Sequence, residues 1–175
     1  MDFEKVILVD SNDNAIGVME KMEAHKKALL HRAVSVFIFN SKQQMLLQKR
    51  ALNKYHSPGL WTNAACTHPY TEESNMDAAL RRLKQEMGLE TNLIKIFHFI
   101  YKEKLDNGLT EHEFDHVFIG YSDDLPTPDP GEVCDYKYMD NDLIVYQIKQ
   151  FPENYTVWFT KIVERVLAYH DSKQL

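Results

Sequence analysis

The stretch W-T-N-A-A-C-T-H-P, residues 61–69, places a thiol and an imidazole two positions apart, at Cys66 and His68. At the end of a strand that spacing turns both side chains toward one pocket, where a nucleophile, an acid or a ligand could work. Farther on, Glu111, Glu113 and Asp115 alternate with His112, Phe114 and His116. A period of two puts the carboxylates on one face of a strand and the aromatic rings on the other. Carboxylates in a row repel unless a cation is near, and a pocketed pair suits a divalent ion. His25 and His31 are too widely spaced for one helix face. They read as unrelated surface residues unless folding brings them together. Arg50 and Lys54 sit in a loop before the cysteine-histidine segment, as an anion gate or a solvated basic loop. Lys21, at a strand end, reads as a solvated edge lysine.

Several elements must position these groups. Residues 5–10 and 16–22 read as strands of a hairpin around S-N-D-N, followed by a short linker, A-H-K-K-A-L-L-H. An apolar strand spans 33–40 and turns at N-S-K-Q into a second hairpin arm ending at Arg50. Ser74 with Asp77 opens a helix and Gly88 closes it. Met76, Leu80, Leu83 and Met87 form its apolar stripe, with Arg82 and Glu86 one turn apart off that stripe. Residues 93–105 and 110–122 read as long strands joined at D-N-G, with the carboxylate face lining a site if the aromatic face packs on a helix. A rigid loop follows at 126–132, then a strand at 133–139 and helices at 141–149 and 156–170. Trp158, at the start of the last helix, reads as a core or interface tryptophan.

The helix segment is similar to a Nudix box when aligned on Glu73, Arg81, Leu83, Glu86, Gly88 and Leu89. It departs from that pattern at Thr67, where the box has Gly, and at Arg82 and Gln85, where it has Glu. A degenerate box with W-T-N-x-x-C-x-H-P directly upstream resembles the type I isopentenyl diphosphate isomerases. The resemblance extends to His25 and His31, to Glu111-x-Glu113 and to Trp158, so it covers most of the chain.

That resemblance implies an α/β/α sandwich of Nudix type with a mixed, mostly antiparallel sheet. It implies interconversion of isopentenyl and dimethylallyl diphosphates, with Cys66 and Glu113 on opposite sides of the alkene. Tyr101 would assist Glu113 as the acid, Cys66 would act most simply as a thiolate base, and Trp158 would line the site. A carbocation over an indole gains on the order of 2 kcal/mol when desolvated. His25, His31, His68, Glu111 and Glu113 would hold one divalent ion, a nitrogen and oxygen set suited to zinc, manganese or magnesium. A magnesium would bridge Glu86 and the diphosphate, and Lys21, Arg50, Lys54 and Arg82 would complete the clamp. Arg82 in place of a metal-binding Glu favours holding a diphosphate intact.

Composition fits this reading. The 175 residues predict one domain over 1–175, with 44% hydrophobic and 26% charged residues as in an ordinary globular protein. Cys66 and Cys134 form no disulfide framework, and the N-terminal segment lacks the pattern of a secretion signal, so a cytoplasmic location is expected. The longest apolar run, residues 33–39 broken by Ser35, is far short of the roughly 18 residues of a membrane span. A formal net charge of -6 argues against general nucleic-acid binding but not against a small anionic substrate. Two further readings stand beside the isomerase. A diphosphohydrolase has the box helix in its favour and Arg82 and Gln85 against it. A non-catalytic diphosphate-binding domain requires Cys66 and Glu113 to be incidental.

Overall fold

The computed structural model describes residues 4–173. Residues 1–3 and 174–175 of the expected domain lie outside the described residues. In chain order the elements are β1 (Lys5–Val9), β2 (Ala15–Glu20), α1 (Lys21–Lys26), β3 (His31–Phe39), β4 (Met45–Arg50), β5 (Trp61–Thr62) and β6 (Ala65–Thr67). They continue as α2 (Asn75–Met87), β7 (Leu93–Lys104), β8 (Thr110–Tyr121), β9 (Val133–Met139), α3 (Asn141–Gln150) and α4 (Val157–Ser172).

β3 is the axis of the sheet. Its sequence, HRAVSVFIF, is apolar on both sides, as a strand covered on two faces requires. It pairs with β8 in parallel, from His31 beside Glu113 to Phe39 beside Tyr121. It pairs antiparallel with β6, which sets Ser35 across from Cys66. Every other strand pairing in the described residues is antiparallel, so the sheet is mixed and mostly antiparallel, as expected. The expected hairpin of β3 with β4 opens at once: the strands share the single pair Phe39 and Met45. β4 then runs with β9 and β5 while β3 runs with β8 and β6. Residues of both branches line one cavity.

Helices cover both faces. α3 and α4 press Ile144, Ile148, Phe159, Ile162 and Val166 onto Phe37, Leu47, Val117 and Ile119. α2 presses Ala78, Ala79, Leu83 and Met87 onto Val34, Val36, Ile38 and Phe118. A third cluster, Ile7, Val9 and Phe114 with Leu30, fills the β1 end.

The structure corrects three expectations. Residues 21–26 are a helix rather than strand end and linker, capped by the Glu20 carboxylate, which accepts from the backbone N–H groups of Met22 at 2.9 Å and Glu23 at 2.8 Å. Leu80 is 36% exposed and lies off the buried face of α2. The two alanines let α2 approach the sheet closely, so its buried face turns toward Ala78, Ala79 and Glu86. The aromatic face of β8 also divides: Phe118 packs under α2, but Phe114 stacks on His98 and joins Ile7 and Val9.

α2 ends where expected. Gly88 adopts φ 66°, and a Cβ there would stand 2.8 Å from the Thr127 carbonyl oxygen. The loop at 126–132 is fastened to this end by hydrogen bonds from the backbone N–H groups of Thr127 to Met87 O (2.8 Å) and of Asp129 to Glu86 O (3.0 Å). No helix among the described residues is long and apolar enough to cross a membrane.

Candidate active site

Strand register assembles a buried group of imidazoles and carboxylates. Glu113 lies beside His31 across the β3/β8 pairing and beside Tyr101 across β7/β8. α1 delivers His25 and the residue after β6 delivers His68. The ligand atoms of His25, His31, His68 and Glu113 all lie within 4.8 Å of one another. Two histidines that sequence spacing separates are therefore brought into ring contact, centroids 4.8 Å apart.

The donors fit a metal ion. The Nδ1 of His25 is 2.7 Å from the Lys21 carbonyl and that of His31 is 2.8 Å from the Leu29 carbonyl. A carbonyl can only accept, so each ring carries its hydrogen on Nδ1 and presents the Nε2 lone pair to the cluster. Both Nε2 atoms are buried without a hydrogen-bond partner among the described residues. His68 Nε2 lies 3.0 Å from Glu113 Oε1. Glu111 stands beside this group: its Oε2 is 3.2 Å from His25 Nε2, and its Oε1 is 3.4 Å from His56 Nε2.

Burial and mutual charge set the protonation states here. Burial works to raise Glu113, but the imidazoles of His31 and His68 beside it outweigh burial and hold the carboxyl well below the usual range. Burial, then the charge of Glu113, pushes Glu111 up to about 7. Burial pulls His68 down to about 4, so its ring stays neutral and free to ligate. The Tyr101 hydroxyl donates to Glu113 Oε2 at 2.7 Å, and burial keeps it protonated.

Burial, then the charge of Asp115, pushes the Cys66 thiol well above its ordinary value, which disfavours the thiolate. Its Sγ lies 3.1 Å from Asn63 Nδ2 and 3.5 Å from Ser35 Oγ, which itself donates to Asp115 Oδ2 at 2.6 Å.

A second set of charges shares the cavity. Lys21 pairs with Glu4 at 2.9 Å, Lys54 pairs with Glu132, and Arg82 pairs with Glu86 and, at 2.6 Å, with Glu132. Arg50 donates to the His56 carbonyl at 3.1 Å and lies 5.4 Å from the Trp158 ring centre. Glu86 also accepts from Gln48, and its remaining lone pairs leave it open to a shared cation. These four cations line one cavity of about 200 Å³ together with Cys66, His68, Tyr101, Glu111, Glu113 and Trp158. Ligand pockets for drug-sized molecules run to roughly 300–1,000 Å³. This one suits a compact anion with a short apolar tail.

Sequence reasoning missed Glu4, Gln48, His56 and Glu132, single residues with no periodicity to mark them, and quoted Asn63 only as part of the W-T-N motif. Ser35 did carry a signal, as the one polar residue in the apolar run 33–39.

The chain's relatives bear on this arrangement. A NUDIX domain model matches residues 29–159. The isopentenyl-diphosphate Delta-isomerase of Pectobacterium atrosepticum is 50% identical over 169 residues, 97% of this chain and 94% of that protein. The chain belongs to the type I isopentenyl-diphosphate Delta-isomerases of the Nudix superfamily. Another such isomerase, from Photorhabdus laumondii, is 47% identical over 98% of this chain and 96% of its own length. Among solved structures, a Deinococcus radiodurans protein superposes with a TM-score of 0.77 at 18% identity, covering 93% of this chain and 98% of that one. A MutT protein from Methanosarcina mazei gives 0.65 at 19% identity, covering 81% and 95%. These two share the fold. Thr67, Arg82 and Gln85 are this chain's departures from the hydrolase box, and the structure turns Arg82 onto Glu86 and Glu132.

Proposed function

We propose that this chain isomerises isopentenyl diphosphate to dimethylallyl diphosphate as a single domain of the cytoplasm. The observation that carries the reading is one small cavity holding proton-exchanging groups, an indole and four cations together. Lys21, Arg50, Lys54 and Arg82 bind the diphosphate, exchanging the carboxylates Glu4 and Glu132 for phosphate oxygens. A diphosphate fixed by that clamp extends its five-carbon tail toward Cys66, Glu113 and Trp158.

The reaction adds a proton to the terminal alkene carbon and removes one from C2. Cys66 and Glu113, as thiol and carboxylate, carry one proton between them, so that one gives as the other takes. Each such group typically contributes about 10²- to 10⁴-fold. Tyr101 holds Glu113 through its hydroxyl. Positive charge developing at C3 is met by the Trp158 ring face and by the carboxylates beside it. A divalent cation on His25, His31, His68, Glu111 and Glu113, when bound, draws electron density from Glu113 and lowers its proton affinity. A magnesium on Glu86 would neutralise the diphosphate. The buried cavity excludes water from the cationic carbon, which would otherwise be trapped as an alcohol.

Acid treatment tests the reading, because an allylic diphosphate ionises in acid and a homoallylic one does not. Incubation with isopentenyl diphosphate and magnesium yields free inorganic diphosphate, together with five-carbon alcohols, only after acid is added. Phosphate released before acid would instead make the protein a diphosphohydrolase. Cys66→Ala keeps diphosphate binding and loses turnover, whereas a non-catalytic binding domain has no turnover to lose.

A further inference from the structure

His56 belongs to no recognised motif of this chain, yet it touches each part of the site. Its ring is buried. It stands edge-on to Trp158, with ring centres 5.7 Å apart at 82°, and it overlaps His25 at 6.5 Å. Its backbone carbonyl accepts from Arg50 at 3.1 Å. Its Nε2 lies 3.4 Å from Glu111 Oε1.

Ser57 Oγ lies 3.4 Å from His56 Nδ1, and a hydroxyl can donate there, an arrangement compatible with the ring hydrogen on Nε2, facing the carboxylate acceptor of Glu111. Contacts of this length in a site without substrate commonly tighten when it fills. The second oxygen of the same carboxylate, Oε2, is buried without a hydrogen-bond partner among the described residues, as is His25 Nε2 only 3.2 Å away. One oxygen of Glu111 therefore faces His56, while the other faces the imidazole cluster.

We propose that His56 is a positioning residue, donating its Nε2 hydrogen to Glu111 Oε1 and so aiming Oε2 at the ion held by His25, His31, His68 and Glu113. The inference rests on the metal reading above. A carboxylate free to rotate loses ligand geometry, and removing such an outer partner typically costs about 10- to 100-fold in metal affinity. Because the same residue holds Arg50 by its carbonyl and meets Trp158 by its ring edge, its backbone and side chain tie the anion end of the cavity to the metal end.

The test is manganese titration of the metal-free full-length protein against a chromophoric chelator, with no substrate present. His56→Phe keeps a ring against Trp158 but has no donor, and His56→Leu is a second donor-less variant. His56→Gln keeps an N–H at similar reach. Both donor-less variants bind manganese about 10- to 100-fold more weakly, and His56→Gln stays within a few-fold of the parent. In a Glu111→Gln background His56→Phe costs no further affinity, because the two act as one unit. Equal affinity for His56→Phe and the parent overturns the proposal, as does a His56→Gln variant as weak as His56→Phe. A parent protein that binds no manganese refutes the metal reading itself, a result distinguishable from parent binding that the variants leave unchanged.

Discussion

At the scale of single residues the site divides labour between neighbours that look alike. Glu111 and Glu113 are two positions apart on one face of β8, yet Glu113 receives the Tyr101 hydroxyl and His68 while Glu111 meets His25 and His56. Glu113→Gln therefore abolishes turnover and weakens manganese binding, whereas Glu111→Gln chiefly weakens the metal. Steady-state kinetics at saturating manganese separates them: activity recovers for Glu111→Gln and stays at least about 100-fold down for Glu113→Gln. Full activity in metal-replete Glu113→Gln would remove it from the proton-exchanging pair. The face shared by Glu111, Glu113 and Asp115 was legible because a strand's period is two, and burial of all three agrees with a lined site rather than a solvated one. The raised proton affinity of Cys66 was not legible, because it depends on burial and then on Asp115, which is distant in sequence.

Among the elements, α2 shows what sequence patterning specifies and what it leaves open. Its ends follow from local chemistry: the Ser74 hydroxyl accepts from the Asp77 backbone N–H at 3.0 Å, and Gly88 takes the left-handed cap. Its rotation about its own axis depends on which neighbour packs closest, and the alanine pair won over Leu80. That rotation buries Glu86 and brings Arg82 to Glu132. Gly88→Ala combines a left-handed φ with a collision at Thr127, and the expected loss is about 2–4 kcal/mol. In a scanning calorimeter this lowers the midpoint on the order of 10 °C. An unchanged midpoint would mean that the loop at 126–132 yields freely. α1 escaped notice because six residues are too few for a periodic signal, and Glu20 is not among the preferred capping residues.

For the molecule as a whole, burial of histidines gives stability a pH dependence away from the site. His170 on α4 stacks on Phe39 with ring centres 3.8 Å apart, and its Nδ1 lies 3.2 Å from the Tyr121 hydroxyl. Burial lowers its pKa below the ordinary 6.5. The unfolded chain then takes up a proton below about pH 6.5 that the folded chain refuses, so His170 contributes stability above that pH and loses it as pH falls. His170→Phe removes this slope: urea unfolding at pH 8 and pH 5 shows the variant gaining on the parent as pH drops. A constant difference between the two would contradict the burial effect. The sandwich architecture was readable from the chain because each layer has its own period. The opening of β3 from β4 was not, since both strands read equally well as one hairpin, and their separation depends on partners supplied by β8 and β9.

The most direct measurement is a proton NMR time course of the manganese-loaded protein with isopentenyl diphosphate and magnesium in deuterated water. The account predicts a second methyl signal appearing as the terminal alkene signal disappears, deuterium entering the product, and no free phosphate. An unchanged alkene with phosphate released would contradict it, and would mean that the box helix still activates water despite Arg82 and Gln85.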